Sequence, residues 1–397
     1  MNIAYIHSGF WPSNSPSVTF VTYNAVGLSR VFDKVFLFIK QKADIDADQV
    51  FKSAFALEKP DNLILINAYT MPRIKSNYLY FSRVRSRIQK LFRKEGLDAL
   101  VTRSTTFLPF MLRLKERLGL PVFYETHDFF ADLSVRSDLT GKNRFRQSQL
   151  ERAYIPGLSG LFCLQESQIE WYRKSFPGQN FHLLRTGIYN LFRHPMEGRN
   201  AVAYIGSLDF HKGIEVLLNA LNRSESKPHL LLIGGKTTQE MERLQREAAR
   251  LYQAQKVTVT GWVNKEQLHG YLQQTALGII PLRDTFFNRY LTSPLKLFDY
   301  YSFGIPVIAS DLPTTRSLIT ENDTGFFFQN EDSAELAARI DRILGDRKRL
   351  ERMSNAVYEH AESYLWEKRA ERMYRIVKEH TPTLSPLEKG GSQGGRG

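Results

Sequence analysis

Ser293-Pro-Leu-Lys-Leu-Phe-Asp299 gathers, within two turns of chain, groups able to hold an anion and a pair of hydroxyls. Ser293 suits a helix cap and Pro294 the first helical position, where proline's missing N–H costs nothing. The amides of Leu295 and Lys296 would then point outward at the positive end of the helix, a place for phosphate. Lys296 adds a full charge, and Asp299, three residues on, projects from the same face one turn deeper. A carboxylate there can accept hydrogen bonds from two vicinal hydroxyls, as on a ribose. Together these groups outline a site for a nucleotide sugar. The bland alternative is an ordinary Ser-Pro helix opening with a solvated lysine and a surface carboxylate.

Other stretches bear on the same chemistry. Gly206-Ser207 through Lys212-Gly213 forms a glycine-bounded loop between a strand and a helix, and offers Lys212 as a second cation. His127, in Tyr124-Glu-Thr-His-Asp128, follows a strand end, where α/β sheets place ligands, with Asp128 as an alternative contact. In the loop Gly9–Ser15, Phe10, Trp11, Asn14 and Ser15 border the expected acceptor side; Trp11 either stacks on a sugar face or packs inside. Asp44-Ile-Asp-Ala-Asp48 has the spacing of a carboxylate magnesium site, but no apolar strand leads into it, so a solvated loop or helix start is expected. Clusters of His and Cys with zinc spacing are absent, and no metal is expected.

The elements that must position these groups alternate. Apolar strands at 2–6, 34–39, 63–66, 99–102, 122–125 and 161–164 are separated by helical patterns, and a second alternation begins at Ala201. Such alternation predicts an α/β fold, with parallel sheets covered by helices. Two Rossmann-like domains facing a cleft are expected: 1–190 and 191–365. Residues 366–380 could cross back as a helix, and the Pro/Gly/Ser-rich stretch 381–397 reads as a disordered tail. Neither a signal peptide nor an apolar run long enough to span a membrane is present, and the single Cys163 forbids an internal disulfide, so a cytoplasmic location is expected. The net charge of +13 calls for an anionic partner. Nucleic-acid signatures are missing, which leaves a phosphate ligand or a membrane surface. Residues 78–94 offer the latter: Phe81, Val84, Ile88 and Leu91 recur at helical spacing while Arg83, Arg87, Lys90, Arg93 and Lys94 crowd the other faces. That helix either covers a sheet with a solvated outer face or docks on anionic lipid.

The order of these pieces resembles the retaining family 4 glycosyltransferases of GT-B fold, over roughly residues 1–375. Tyr204–Ile214 looks like their G-[RS]-x…K-G loop, and Ser293–Asp311 like the S-P-x-K-x-x-E-Y form of their donor motif. Leu183–Ile188 resembles their P-N-G-[IV] turn, and Tyr124–Asp128 their E-x-H-D. The resemblance implies a hexosyltransferase, peripheral or cytoplasmic, that moves a sugar from a UDP- or GDP-sugar to a glycan or lipid-linked acceptor in polysaccharide or cell-surface glycan assembly. It implies catalytic roles for His127, Lys212 and Asp299, and a donor site of Gly206, Ser207, Lys212, Gly235, Trp262, Val263, Ser293, Pro294, Leu295, Lys296 and Asp299. Lys212 and Lys296 can stabilise the leaving diphosphate without metal, so no cofactor beyond the donor is implied. Departures are Leu291 where the first Glu of the family's E-x7-E pair would fall, Asp299 for the second, Ser207 for an arginine and Thr186 for an asparagine. A related nucleotide-sugar 2-epimerase, or a non-catalytic nucleotide-sugar-binding protein, is the alternative.

Overall fold

The computed structural model describes residues 1–69, 77–139, 141–207, 212–235, 237–252 and 256–381. The loop tip at 208–211 and, of the tail expected at 381–397, residues 382–397 lie outside the described residues.

The first sheet contains β1 (Asn2–Phe10), β2 (Lys34–Lys40), β3 (Leu63–Asn67), β4 (Ala99–Thr102), β5 (Val122–Glu125), β6 (Gly160–Cys163) and β7 (Phe181–Leu183), in the order β3-β2-β1-β4-β5-β6-β7. The second contains β8 (Ala201–Ile205), β9 (His229–Ile233), β10 (Val257–Gly261), β11 (Thr275–Ile280), β12 (Val307–Ser310) and β13 (Gly325–Phe328), in the order β10-β9-β8-β11-β12-β13. All named pairings are parallel. Parallel sheets must be covered on both faces, and strand alternation supplies the two interfaces. In β1, Ile3 and Tyr5 join one core while Ala4 and Ile6 join the other. In β8, Val202 and Tyr204 face one layer, Ala201 and Ala203 the opposite one.

Both sheets start at a central strand, step outward, then return to its other side. The reversal falls between β1 and β4 in one sheet and between β8 and β11 in the other. Outside the carboxyl ends of strands at such a switch point is where open α/β sheets bind ligands.

The halves are joined by more than the linker. Helix Trp366–His380 lays Trp366, Ala370, Met373 and Val377, spaced four, three and four apart, into the first domain's core. Gly27 allows the approach: a Cβ there would sit 2.8 Å from the Trp366 carbonyl oxygen. Arg369 from this helix pairs with the fully buried Glu125, whose second carboxylate oxygen accepts from the Tyr5 hydroxyl. It also donates to Asn24 Oδ1 at 2.5 Å and to the Arg185 carbonyl at 2.9 Å. In the opposite direction, the short helix Phe286–Tyr290 leans on the first domain, with the Phe286 ring 5.2 Å from Trp171 and 6.4 Å from Phe129.

Two strands depart from the sequence reading. Edge strands β7 and β13 were not anticipated, because three residues in one case and an unalternating Gly-Phe-Phe-Phe in the other carry no strand period. Trp11 is a core residue, 1% exposed, its Nε1 donating to Thr22 Oγ1 at 3.0 Å and its ring packed on Phe51 and Phe55. It is closed to a sugar. Asp46 of the Asp44–Asp48 stretch caps helix Ala47–Phe55, accepting from the Gln49 amide at 3.1 Å, and among the described residues no carboxylate, His and Cys cluster could hold a metal. In helix Asn77–Glu95, Tyr80, Phe81, Val84 and Ile88 are buried while Arg83, Arg87, Lys90, Arg93 and Lys94 are exposed. No described helix is long and apolar enough to cross a membrane. Burial pushes the Cys163 thiol up, so it stays protonated.

Candidate functional site

The helix carrying Lys296 runs from Leu295 to Ser302, with Pro294 at its cap. It therefore begins one residue later than the sequence predicts. Ser293 does not cap it: its hydroxyl is 2.8 Å from that of Thr186, a link across the two domains. Nothing else fills the cap, so the amides of Leu295 and Lys296 have no hydrogen-bond partner among the described residues. Orphan N–H groups at a helix start favour an anion.

Lys296 lies beside them. Its Nζ is shut off from solvent, has no hydrogen-bond partner, and sits 3.7 Å above the Tyr204 ring. Burial, and then the charge of Lys212, hold its pKa well below the ordinary lysine range. An ammonium so placed gains from an incoming anion what water no longer supplies. Glycines make the room. A Cβ on Gly206, where φ is +132°, would stand 3.3 Å from Lys296 Nζ. One on Gly234 would strike the Gly206 carbonyl oxygen at 2.0 Å. The Tyr204 hydroxyl donates to the Ser207 carbonyl at 2.7 Å, fixing the start of the loop that leads to Lys212. Gly206, Ser207, Lys212 and Lys296 are thus brought together at the carboxyl edge of the second sheet, and Gly235, with φ of +118°, follows β9 along the same edge.

Asp299 faces a neighbouring space. A cavity of about 360 Å³ lies between Thr19, Phe20 and Tyr23 of the first domain and Leu295, Phe298 and Asp299 of the second. Asp299 Oδ1 accepts from Lys265 Nζ at 2.9 Å, while Oδ2 has no partner among the described residues. Burial works against the Lys265 charge, but Asp299 and Tyr23 outweigh it and its pKa is raised. Lys265 escaped the sequence reading; its position just inside the helix after Trp262-Val263 was the available signal. Trp262 is 60% exposed and Val263 packs against the second domain's core.

On the first domain, His127 keeps an exposed edge, yet enclosure by surrounding protein, then Arg103 and His7, lower its pKa and hold the imidazole neutral. Asp128 is half-buried and held through Oδ1. Its carboxylate receives Arg136 Nη1 at 2.5 Å and the Phe129 amide at 2.8 Å, and its carbonyl accepts from Thr126, Gln168 and Tyr172. It anchors the loop that carries His127. Phe10, Asn14 and Ser15 are exposed. Arg103 and His7, which the sequence reading passed over, lie beside His127; each is the first residue beyond an apolar strand segment, a position worth reading for function.

Leu291, where a glutamate was looked for, is 1% exposed and belongs to the first domain's core. A carboxylate there would be buried among hydrocarbon, so this segment contributes packing between the domains.

Residues 192–360 match the family model described as Glycosyl transferases group 1. The chain is 26% identical over 182 residues to D-inositol 3-phosphate glycosyltransferase of Nocardia farcinica, covering 44% of this chain and 39% of that protein. It is 25% identical over 166 residues to alpha-D-kanosaminyltransferase of Streptomyces kanamyceticus, 41% of either length. These matches span about two fifths of those relatives. Among solved structures, sucrose-phosphate synthase from Thermosynechococcus elongatus superposes with a TM-score of 0.72 at 18% identity, covering 95% of this chain and 98% of that one. HepE of Anabaena in complex with UDP-glucose gives 0.71 at 13% identity, covering 96% and 100%. The shared architecture is the GT-B fold.

Proposed function

We propose that the chain, whose residues 192–360 match the group 1 glycosyl transferase model, is a retaining glycosyltransferase that moves a sugar from a UDP- or GDP-sugar to a glycan or lipid-linked acceptor. The observation that carries this reading is the buried, unpartnered Lys296 ammonium beside Lys212 and two open helix amides. A diphosphate would satisfy the Lys296 ammonium and the two amides at once, with the charge of Lys212 beside them. As the bond from the sugar's anomeric carbon to the diphosphate breaks, charge grows on the leaving oxygen, and preorganised donors aimed there lower the barrier. The acceptor hydroxyl forms the new bond on the same face, and the leaving phosphate takes its proton. Asp299, held through Oδ1 by Lys265, offers Oδ2 to the ribose hydroxyls. His127, neutral and with an exposed edge, faces the sugar. Two lysines supply the positive charge, so turnover should survive removal of divalent metal by chelation.

The test is a thermal-shift screen of UDP-, GDP-, ADP- and dTDP-sugars, followed by transfer assays on Lys212→Ala and Asp299→Ala. Specific donors raise the melting temperature by mass action, and both variants lose turnover. Full turnover in both refutes the donor site. Sugar isomerisation without an acceptor would mark a 2-epimerase, and tight UDP binding without transfer or hydrolysis a binding protein.

The partner at the surface is proposed to be anionic lipid. Arg83, Arg87, Lys90, Arg93 and Lys94 are exposed on one helix whose start also exposes Tyr78 and Leu79, a pairing of cations and apolar groups suited to headgroups. Charge reversal at Arg83, Arg87 and Lys90 should abolish sedimentation with anionic liposomes; unchanged binding removes the idea.

A further inference from the structure

The first domain holds nitrogen-bearing side chains that a donor site on the second leaves unused. The strand order β2-β1-β4-β5 places Lys40 of β2, His7 of β1, Arg103 just beyond β4 and His127 just beyond β5 along the carboxyl edge of the sheet. Lys40 is accounted for, since it donates to Asn77 Oδ1 at 2.6 Å and lies over the Tyr80 ring. Arg103 is not. It is 7% exposed, and its Nε and Nη1 are closed to solvent with no hydrogen-bond partner. Its guanidinium lies 3.8 Å over the ring of Phe20, which in turn lines the cavity shared with Asp299 and Leu295. His7 is 5% exposed, and its Nε2 is likewise buried and unpartnered. Burial, then Arg103 and Lys40, lower the His7 pKa to about 4, so the ring is neutral near pH 7.

The nearby carboxylates are engaged elsewhere. Glu125 is taken by Arg369 and Tyr5, and Asp128 by Arg136. A buried guanidinium without an acceptor is costly. Its planar fork matches an oxyanion in two-pronged fashion. It also stands at the carboxyl end of β4 beside β1, the switch point of this sheet.

We propose that Arg103 and His7 form an anion site on the acceptor side, and hence that the acceptor carries a phosphate ester or a carboxylate close to the hydroxyl that reacts. The proposal rests on the transferase reading for the word acceptor; the anion site itself does not. Arg103 grips two oxygens of the anion, and His7 Nε2, as the N–H tautomer, donates to a third or to the bridging oxygen. Lys212 and Lys296 belong to the other domain and remain with the donor.

The experiment saturates the protein with UDP, or with GDP if only that shifts the melt, so that the lysine site is filled. Inorganic phosphate, glucuronate and the neutral methyl glucoside are then titrated by calorimetry. Binding of phosphate or glucuronate, but not of methyl glucoside, is expected in the wild type, with at least about tenfold weakening in Arg103→Gln, the scale of a lost charged hydrogen bond. Phosphate alone points to a phosphate ester, glucuronate alone to an acidic sugar. If Arg103→Gln does not fold, His7→Asn reads the same site. The proposal is overturned if neither anion binds the nucleotide-saturated wild type, or if the variants bind anions as the wild type does. It is also overturned if Arg103→Gln weakens the nucleotide as much as the anion, which would give Arg103 to the donor. Should no nucleotide bind while anion binding still depends on Arg103, the anion site stands and the transferase reading falls.

Discussion

Replacing Lys296 by methionine removes a buried ammonium and keeps most of its apolar stem. In the unliganded protein this charge has no hydrogen bond, faces the like charge of Lys212, and is offset by the Tyr204 ring at 3.7 Å. Burying an unpaired ion costs several kcal/mol after relaxation. A desolvated cation–π contact returns about 2 kcal/mol. The variant should therefore be more stable by on the order of 1–3 kcal/mol without ligand, or roughly 2–10 °C in melting temperature for a domain of this size. The sign of the pH effect follows. The folded pKa lies below the unfolded one, so between them the unfolded chain binds more protons and wild-type stability rises with pH. The methionine variant lacks that rise. Ligand binding moves the other way. Losing a charged hydrogen bond of about 1.5–3 kcal/mol weakens UDP roughly 10- to 150-fold. Melts at several pH values with and without UDP, with calorimetric titration, read both effects. A variant that is less stable alone and binds UDP as the wild type does would refute the reasoning.

Two further outcomes are expected. Arg369→Ala strands Glu125 in the first domain's core and should cost about 3–5 kcal/mol in denaturant unfolding, with faster hydrogen exchange along Trp366–His380; a loss under about 1 kcal/mol would mean that the pair does not hold this helix. Glu151 is raised to about 8, chiefly by burial, while Tyr172 and the Phe130 amide donate to it. Its folded pKa exceeds the unfolded one, so the native state binds more protons in between, and this group makes stability fall as pH rises from about 4.5 to about 8. Glu151→Gln should flatten that decline in unfolding measured at pH 5 and pH 9; an unchanged slope would show that Glu151 does not titrate in this range.

The alternation of apolar strands and amphipathic helices made the two sheets legible, because parallel strands covered on both faces read as short continuous apolar runs. The cluster around Lys296, proposed for the donor, was legible for a different reason. Proline, glycine and lysine around 206–213 and 293–304 have local backbone meanings that need no tertiary contact. What could not be read depends on contacts between distant segments. Trp11 looked available in a polar loop, yet Phe51 and Phe55, some 40 residues on, close over it. Leu291 looked like a lost carboxylate until the first domain's core was seen to receive it. Asp128 gave no sign of its ion pair with Arg136, eight residues on. For Arg103 the place after a strand was a weak signal, because an arginine there is ordinary; two buried nitrogens without a hydrogen-bond partner, at 7% exposure, set it apart.

The central claim is that Lys212, Lys296 and the open amides of Leu295 and Lys296 grip one diphosphate. A crystal structure of the protein soaked with UDP, or with GDP if that shifts the melt more, tests this directly. Phosphate oxygens are predicted within about 3 Å of Lys296 Nζ and of those amides, with Lys212 closing on the same group. A nucleotide bound with its phosphates elsewhere, leaving the Lys296 ammonium unpartnered above Tyr204, would contradict the account.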